Sequence, residues 1–282
     1  MLCWINGQYV DDTEIMISPF DHGFLYGLGF YETFRTYSGK VVLLEEHFNR
    51  LCSALNLYRI NIPYTLKEIQ EAIYELTRSM GEDAIIRLNV SAGYNSLSIP
   101  YKYESPNVIL FQTPLIKRKR NTEKAAQWLQ IRRVVDEHHC FSFRSNYFGN
   151  NVLARFEIED LTTTEGFFLT SKGFIADGIT SNIFWARDGI LYTPSISTGI
   201  IPGITRQWSI MIARRLGYRV VEDVFIKKEL ENAYECFITN SIEELVPISN
   251  IGKIHFLGEN GPMYQRLHQA YIEEIIQTVK RG

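Results

Sequence analysis

Apolar and polar residues alternate in short segments that predict β-strands along much of the chain. The segment LCWINGQYV (2–10) predicts a hairpin, because Asn6-Gly7 is the strongest short turn signal between two strands. The segment YETFRTYSGKVVLL (31–44) repeats this pattern around a Ser-Gly turn. Single strands are predicted in AIIRLNVSAG (84–93) and PNVILFQTPL (106–115).

Apolar residues recur at helical spacing in other segments. In 65–80, Thr65 is predicted to cap the N-terminus of a helix and Glu68, three residues later, to complete a capping box. The helix predicted from 204 is expected to reach its C-cap at Gly217. Further helices are predicted at 45–60, 227–234 and 263–280, and further strands at 127–135, within 166–194, at 220–226 and at 235–241.

The length of the chain favours two domains. It has 282 residues, of which 45% are hydrophobic, and this is more than one compact core usually holds. The order of the elements predicts an α/β (α+β) fold, with a small N-terminal α+β domain at 1–118 and a larger, β-rich C-terminal domain at 123–282. The linker between them is 119–122. The basic run Lys117–Arg120 is interpreted as part of a solvated connection, since no aromatic residues are interleaved with it.

Charge and cysteine content exclude several classes of protein. The formal net charge of -3 argues against a general nucleic-acid binder. The four cysteines are scattered without a CxxC pair, which argues against a zinc site and favours a reduced, cytoplasmic setting. The N-terminus lacks the features of a signal peptide, and no apolar run reaches the ~20 residues that span a bilayer.

Three loops carry candidate chemistry. TPSISTGIIPGITR (193–206) leads into a helix whose first amides would suit a phosphate, although an ordinary helix entry has the same composition. FITNSIEEL (237–245) places hydroxyl groups beside a predicted helix start, as many strand ends do. FIADGITSNIF (174–184) places Asp177 in a turn, where an aspartate normally caps its own backbone. These residues alone leave a nucleotide or sugar-phosphate binder open.

Taken in order, these loops and four further segments resemble one family. The segments are SPFDHGFLYGLGFYETFR (18–35), EEHFNRL (45–51), IRLNVSAG (86–93) and NNVLARFEI (150–158). The series is similar to that of class IV aminotransferase-like proteins, the fold-type IV pyridoxal phosphate enzymes, and most similar to bacterial aminodeoxychorismate lyases. The resemblance implies a two-domain fold, pyridoxal 5'-phosphate as the cofactor and a small amino compound as the substrate. It also implies a homodimer, in which the partner subunit completes a pocket between the domains.

The resemblance assigns a phosphate site. Arg50 would hold the cofactor phosphate, which a guanidinium fork suits. The amides of Ile204 and Thr205, the Thr205 hydroxyl, and Asn240 and Ser241 at the end of their strand would complete it.

Two further roles follow from the resemblance. Asp177 falls where the family usually has a glutamate, whose carboxylate pairs with the pyridine nitrogen of the cofactor and keeps it protonated. An aspartate preserves the charge but is one methylene shorter. Tyr31 would face the substrate.

Arg144 occupies the most unusual position. Counting back from Asn150, the resemblance places here the lysine that bonds to the cofactor aldehyde, and no lysine lies between Ala125 and Ser171. Arginines stay protonated and are poor nucleophiles, so this bond could not form in the ordinary way.

Three interpretations of Arg144 stay open. The protein binds the cofactor and has weakened or altered chemistry, in which a substrate amine reacts with free pyridoxal phosphate. Alternatively, it is a non-catalytic binding or regulatory homologue. The third is a normal enzyme with an engineered change or with a lysine from elsewhere in the chain. For the reaction, loss of pyruvate to give 4-aminobenzoate is preferred, with amino acid transamination as the alternative. A D-amino acid specificity is disfavoured, because NSLSIPYK (95–102) lacks an Arg-x-His pair.

Overall fold

The computed structural model describes residues 1–116, 119–134 and 143–281, and the chain folds as two compact units. The first unit contains Met1–Ile116 together with Phe143–Tyr147. The second contains the described residues of Lys117–Ser142 and Phe148–Lys280. The sequence had put 143–147 in the C-terminal domain, whereas the structure groups it with the N-terminal strands.

The first unit is an antiparallel sheet with helices packed against it. Its described strands follow the order β2-β1-β6-β5-β3-β4. Leu51 and Leu55 of one helix and Leu76 of the other share a buried cluster with Phe34 and Leu88 of the sheet. The strands are β1 (Leu2–Ile5), β2 (Gln8–Asp11), β3 (Gly29–Tyr37), β4 (Lys40–Val41), β5 (Ala84–Ser91) and β6 (Asn107–Pro114), and the helices are α1 (His22–Leu25), α2 (Leu44–Leu57) and α3 (Leu66–Met80).

Local sequence signals in this unit are confirmed. Asn6 and Gly7 both take positive φ angles in the turn between β1 and β2, as the hairpin prediction requires. The Thr65 hydroxyl accepts the Glu68 backbone N–H, and the Glu68 carboxylate accepts the Thr65 N–H, so the predicted capping box begins α3.

The second unit is a mixed sheet. Its described strands follow the order β12-β11-β10-β13-β14-β7-β8-β9, and β15 pairs with β14. The strands are β7 (Lys124–Arg133), β8 (Thr164–Thr170), β9 (Ile175–Gly178), β10 (Asn182–Arg187), β11 (Ile190–Pro194), β12 (Arg219–Asp223), β13 (Glu235–Asn240), β14 (Glu244–Ile251) and β15 (Ile254–His255). The helices are α4 (Gly149–Arg155), α5 (Ile204–Arg215), α6 (Lys227–Glu231) and α7 (Pro262–Arg281).

Three details differ from the sequence predictions. A tight turn, not a helix, follows β13, because Asn240 Oδ1 accepts the backbone N–H groups of Ile242 and Glu243 and returns the chain as β14. Leu216 is the C-cap of α5, and Gly217 follows it with φ 85°. Arg120 is not simply solvated, because it makes two hydrogen bonds, of 2.8 and 2.9 Å, with the buried carboxylate of Glu244. Lys117 and Arg118 lie outside the described residues.

None of the described helices is both long and apolar enough to cross a membrane.

Candidate functional site

The segment that carries Arg144 is fixed against the start of β3. The Tyr31 backbone N–H donates to the Arg144 carbonyl oxygen at 2.8 Å, and the Asn146 N–H donates to the Gly29 carbonyl oxygen at 2.9 Å. Ser145 forms an antiparallel bridge with Phe30. Gly29 permits this approach, since a Cβ atom there would lie 2.3 Å from Nδ2 of Asn146. Sequence reasoning named Arg144 and Tyr31 separately, and the structure makes them neighbours.

The side chain of Arg144 lies in a region rich in positive charge. Its Nε atom is buried and has no hydrogen-bond partner among the described residues. The Arg87 guanidinium stacks 3.7 Å above the ring of Tyr31, a cation–π contact that helps to hold this buried tyrosine. The charge of Arg144 also contributes to a lowered pKa of His47.

Glu32 is the buried anion of this region. Its Oε1 accepts from Nε of Arg50 at 2.7 Å, and its Oε2 accepts from Nη2 of Arg50 at 2.6 Å. Nδ1 of His47 lies 2.7 Å from the same Oε2. Two donors of Arg50 are therefore engaged by a carboxylate of the protein, and its predicted role at the cofactor phosphate stays a prediction.

Burial and neighbouring charges set the protonation states of Glu32 and His47. Burial raises the pKa of Glu32, but the charge of Arg50 and the hydrogen bonds from His47 and Arg50 outweigh it and lower the pKa to about 2. Burial lowers the pKa of His47, and the charges of Arg50 and Arg144 act in the same direction against the opposing effect of Glu32. We therefore assign His47 as neutral, with the Nδ1 proton donated to Glu32 and Arg50 as the counter-ion.

In the second unit, Asp177 lies on β9 and is buried. Its Oδ2 accepts from Nη2 of Arg133 at 2.5 Å. Its Oδ1 accepts no hydrogen bond of ordinary geometry from the described residues. The backbone of Ile201 nevertheless lowers the pKa of this carboxylate, which favours its ionised form. Burial raises the pKa of Asp177, and the charge and hydrogen bond of Arg133 oppose this effect. A buried carboxylate oxygen without a donor is costly, and it is the kind of atom that a protonated ring nitrogen would satisfy.

The predicted phosphate residues of the second unit converge. The hydroxyl oxygens of Thr205 and Ser241 are 3.4 Å apart, although 36 positions separate them in sequence. Ile204 and Thr205 open α5, and no side chain of the described residues caps this end, because its N-cap is Gly203. The first amides of α5 are therefore available to an anion. Asn240 has a different task, since its side-chain oxygen holds the turn that presents Ser241.

A second buried carboxylate supports the loop after Asp177. Glu165 accepts the Ile179 N–H at 3.0 Å and the Thr180 and Ser181 hydroxyls at 2.6 and 3.1 Å. Burial raises the pKa of Glu165, against the opposing effects of the Thr180 hydroxyl and the charge of Lys124. Sequence reasoning missed Glu165, Arg133 and Glu32. The available signal was a charged residue within an otherwise apolar strand, as in TEGFFLT and YETF.

Comparisons with known proteins identify relatives along almost the whole chain. A family profile described as amino-transferase class IV matches residues 29–251. The aminodeoxychorismate lyase of Bacillus subtilis is 35% identical over 97% of this chain and 94% of its own length.

Solved structures agree with these relatives. The branched-chain aminotransferase of Thermoproteus uzoniensis has a TM-score of 0.88 and 28% identity over 97% of this chain and 94% of its own. The T.th. branched-chain amino acid aminotransferase, complexed with N-(5'-phosphopyridoxyl)-L-glutamate, has a TM-score of 0.86 and 27% identity over 96% of this chain and 93% of its own. The fold prediction is thereby confirmed, and the second structure supports the prediction of a pyridoxal phosphate cofactor.

Proposed function

Because the chain belongs to the amino-transferase class IV family, we propose that it binds pyridoxal phosphate and acts as a lyase of the aminodeoxychorismate lyase type without a lysine at the cofactor. The buried, unpartnered Oδ1 atom of Asp177 is the observation that carries the cofactor assignment. When bound, pyridoxal phosphate supplies an electron-accepting ring that stabilises negative charge on a substrate carbon.

The residues of the second unit would bind and orient the cofactor. The Thr205 and Ser241 hydroxyls and the free amides at the start of α5 would accept a phosphate, whose charge the helix dipole favours. Asp177 would hold a proton at the ring nitrogen through Oδ1. An aspartate keeps the charge of the family's usual glutamate on a side chain that is one methylene shorter.

In the first unit, Arg144 would bind the cofactor through hydrogen bonds without forming a covalent bond to it. Its guanidinium is a hydrogen-bond donor whose Nε has no acceptor among the described residues, so it suits the phenolate or aldehyde oxygen of the cofactor. Tyr31, fixed by Arg87, would present its ring to the substrate. Arg50 would contribute positive charge for the phosphate while remaining bound to Glu32.

The missing lysine favours a lyase over an aminotransferase. Transamination needs a group that takes a proton from the substrate carbon and returns it to the cofactor, and a lysine amine can do both. Loss of pyruvate from an aminated chorismate needs the removal of that proton only. The electron pair that the proton leaves behind forms the last double bond of the aromatic ring in 4-aminobenzoate. The C–O bond breaks with its own electron pair on the oxygen, and the released enolate takes up a proton to give pyruvate. Replacing the lysine by arginine therefore removes two proton transfers that transamination needs and only one that elimination needs.

Two assays on one preparation test this function. With aminated chorismate as the substrate, we expect slow release of equal amounts of pyruvate and 4-aminobenzoate that depends on added pyridoxal phosphate. With branched-chain amino acids and 2-oxoglutarate, we expect no glutamate. The reverse pattern would assign the chain to the aminotransferases, the alternative that the solved relatives favour. Cofactor binding without either product would indicate a non-catalytic homologue.

We also propose that the protein is a homodimer in the cytoplasm. The first unit leaves large apolar side chains exposed, among them Phe24, Leu97, Ile99 and Tyr101. A surface of this kind is typical of association. Light scattering on purified protein should give twice the chain mass of 32.7 kDa, and a monomer at micromolar concentration would contradict this assignment.

A further inference from the structure

Arg133 connects Asn151 of α4 with Asp177 of β9, two residues that lie far apart in the sequence. It ends β7 and is buried, and its Nη2 donates to Oδ2 of Asp177. Its Nη1 donates to the side-chain oxygen of Asn151 at 3.1 Å, and Nδ2 of Asn151 donates to the Ile179 carbonyl oxygen at 2.7 Å. The contacts run from the first turn of α4 through Arg133 to Asp177, and from Asn151 to the loop just beyond Asp177.

The sheet explains why an arginine is needed at this place. β8 lies between β7 and β9, so a side chain must cross one strand to join them. The Arg133 guanidinium does so 5.0 Å from the ring centroid of Phe168, which is fully buried on β8. A planar, long side chain can stack on that ring and still donate at both ends. Asn150 supports the same strand end, because its Nδ2 donates to the Arg132 carbonyl oxygen at 3.0 Å.

We propose that Arg133 is a positioning residue, which occupies one oxygen of Asp177, favours the ionised form of this carboxylate and leaves its other oxygen for the ring nitrogen of the cofactor. The proposal deepens the proposed function and rests on it. It also gives the Asn-Asn pair of the NNVLAR segment a physical role, since Asn151 orients Arg133 from α4.

The burial of Asp177 explains why a cation is needed beside it. Asp177 is almost fully buried, and a buried carboxylate without a cation takes up a proton. A protonated Asp177 would carry no charge to hold the proton of the ring nitrogen. With Arg133 bound to Oδ2, its positive charge opposes the effect of burial and favours the ionised carboxylate, and the hydrogen bond restricts rotation of the group.

A double-mutant cycle in pyridoxal phosphate binding tests the proposal. The proteins are the wild type, Arg133→Gln, Asp177→Asn and the double variant, with Arg133→Lys as the conservative change and Arg132→Gln as the matched control. Arg132 is the adjacent arginine of β7, and its side chain is exposed. Affinity is measured by titration, and the absorbance of the bound cofactor is followed against pH.

The expected results separate positioning from general damage. Arg133→Gln should weaken cofactor affinity about tenfold, the scale of one charge-assisted hydrogen bond. It should also make the bound cofactor's absorbance change with pH where that of the wild type is constant. The double variant should be no weaker than Asp177→Asn alone, Arg133→Lys should recover part of the loss, and Arg132→Gln should match the wild type.

The cofactor-free proteins give a second readout. In Arg133→Gln the folded-state pKa of Asp177 rises further above its unfolded value. Stability should therefore be retained at low pH and lost as the pH rises through the folded pKa. Adding Asp177→Asn should abolish this dependence of the melting temperature on pH.

Equal effects of Arg133→Gln with and without Asp177 would overturn the positioning role while leaving the proposed function intact. A wild type that does not bind pyridoxal phosphate would overturn both.

Discussion

Glu32 and Glu165 are two buried carboxylates whose opposite electrostatic settings lead to opposite predictions. Glu32 is paired with a cation and has a lowered pKa, whereas the surroundings of Glu165 do not offset its burial and its pKa is raised. The sign of the shift decides how each one affects the stability of the fold at different pH.

Changing Glu32 to Gln should destabilise the protein at neutral pH by about 3 kcal/mol, from the lowering of its pKa to about 2. The folded pKa lies below the unfolded one, so this stability is present above the unfolded pKa and is lost as the pH falls through the folded pKa. Urea unfolding at several pH values should show the two proteins converging towards about pH 2. Glu46→Gln, an exposed change on α2, is the control. A constant difference at every pH would contradict the prediction.

Changing Glu165 to Gln should stabilise the protein, and more so as the pH rises. A glutamine can still accept the Ile179 N–H, and its amide can donate to the Thr180 and Ser181 hydroxyls, so the contacts persist without a buried charge. Because the folded pKa is raised, the wild type loses stability as the pH increases through it. The melting temperatures of the two proteins should diverge as the pH rises from the unfolded pKa to the folded pKa, and should differ by a constant amount above it. Glu159→Gln, on the surface, should show no such trend. A variant that is less stable than the wild type at high pH would refute this prediction.

At the scale of elements, the Arg144 segment packs against β3 through a close contact between Gly29 and Asn146. A Cβ atom at Gly29 would lie 2.3 Å from Nδ2 of Asn146 and 3.0 Å from the Val90 carbonyl oxygen. Gly29→Ala should therefore destabilise this contact by about 1–3 kcal/mol. The Tyr31 amide, which donates to Arg144, should exchange its hydrogen faster. In Gly149→Ala, where no atom lies within 4 Å of the added carbon, exchange should be unchanged. Equal protection in all three proteins would argue against this anchoring.

The start of α5 and the turn after β13 form the proposed phosphate site, and a phosphate-specific measurement tests it. Thr205→Val removes one hydroxyl and keeps the branched shape of the side chain. We expect weaker binding of pyridoxal phosphate, about tenfold, and unchanged binding of pyridoxal, which lacks the phosphate. Arg50→Ala is less informative, because it also leaves Glu32 buried without its cation. Equal losses for both ligands would place the phosphate elsewhere.

At the scale of the whole molecule, the sequence predicted what depends on local signals. Turn residues with positive φ, such as Asn6 and Gly7, and the capping box at Thr65 and Glu68 act within a few positions, so their patterns are sufficient. The order of motifs also predicted the family. The pairing of Arg133 with Asp177 was not predictable, because it spans 44 positions and depends on the strand order. The turn after β13 was missed for a similar reason, since the pairing of β13 with β14 overrides a polar sequence that also suits a helix start.

We propose that this family member uses its cofactor without a lysine bond, with Arg144 at the position that the family resemblance gives to the lysine. Borohydride makes a bond between the cofactor aldehyde and a protein amine permanent, so reduction followed by peptide mass spectrometry tests the claim directly. We predict that wild-type protein loaded with pyridoxal phosphate carries no added mass on any lysine, whereas Arg144→Lys carries the cofactor on the peptide that contains residue 144. A cofactor adduct on any lysine of the wild type would contradict the account and would identify the catalytic residue.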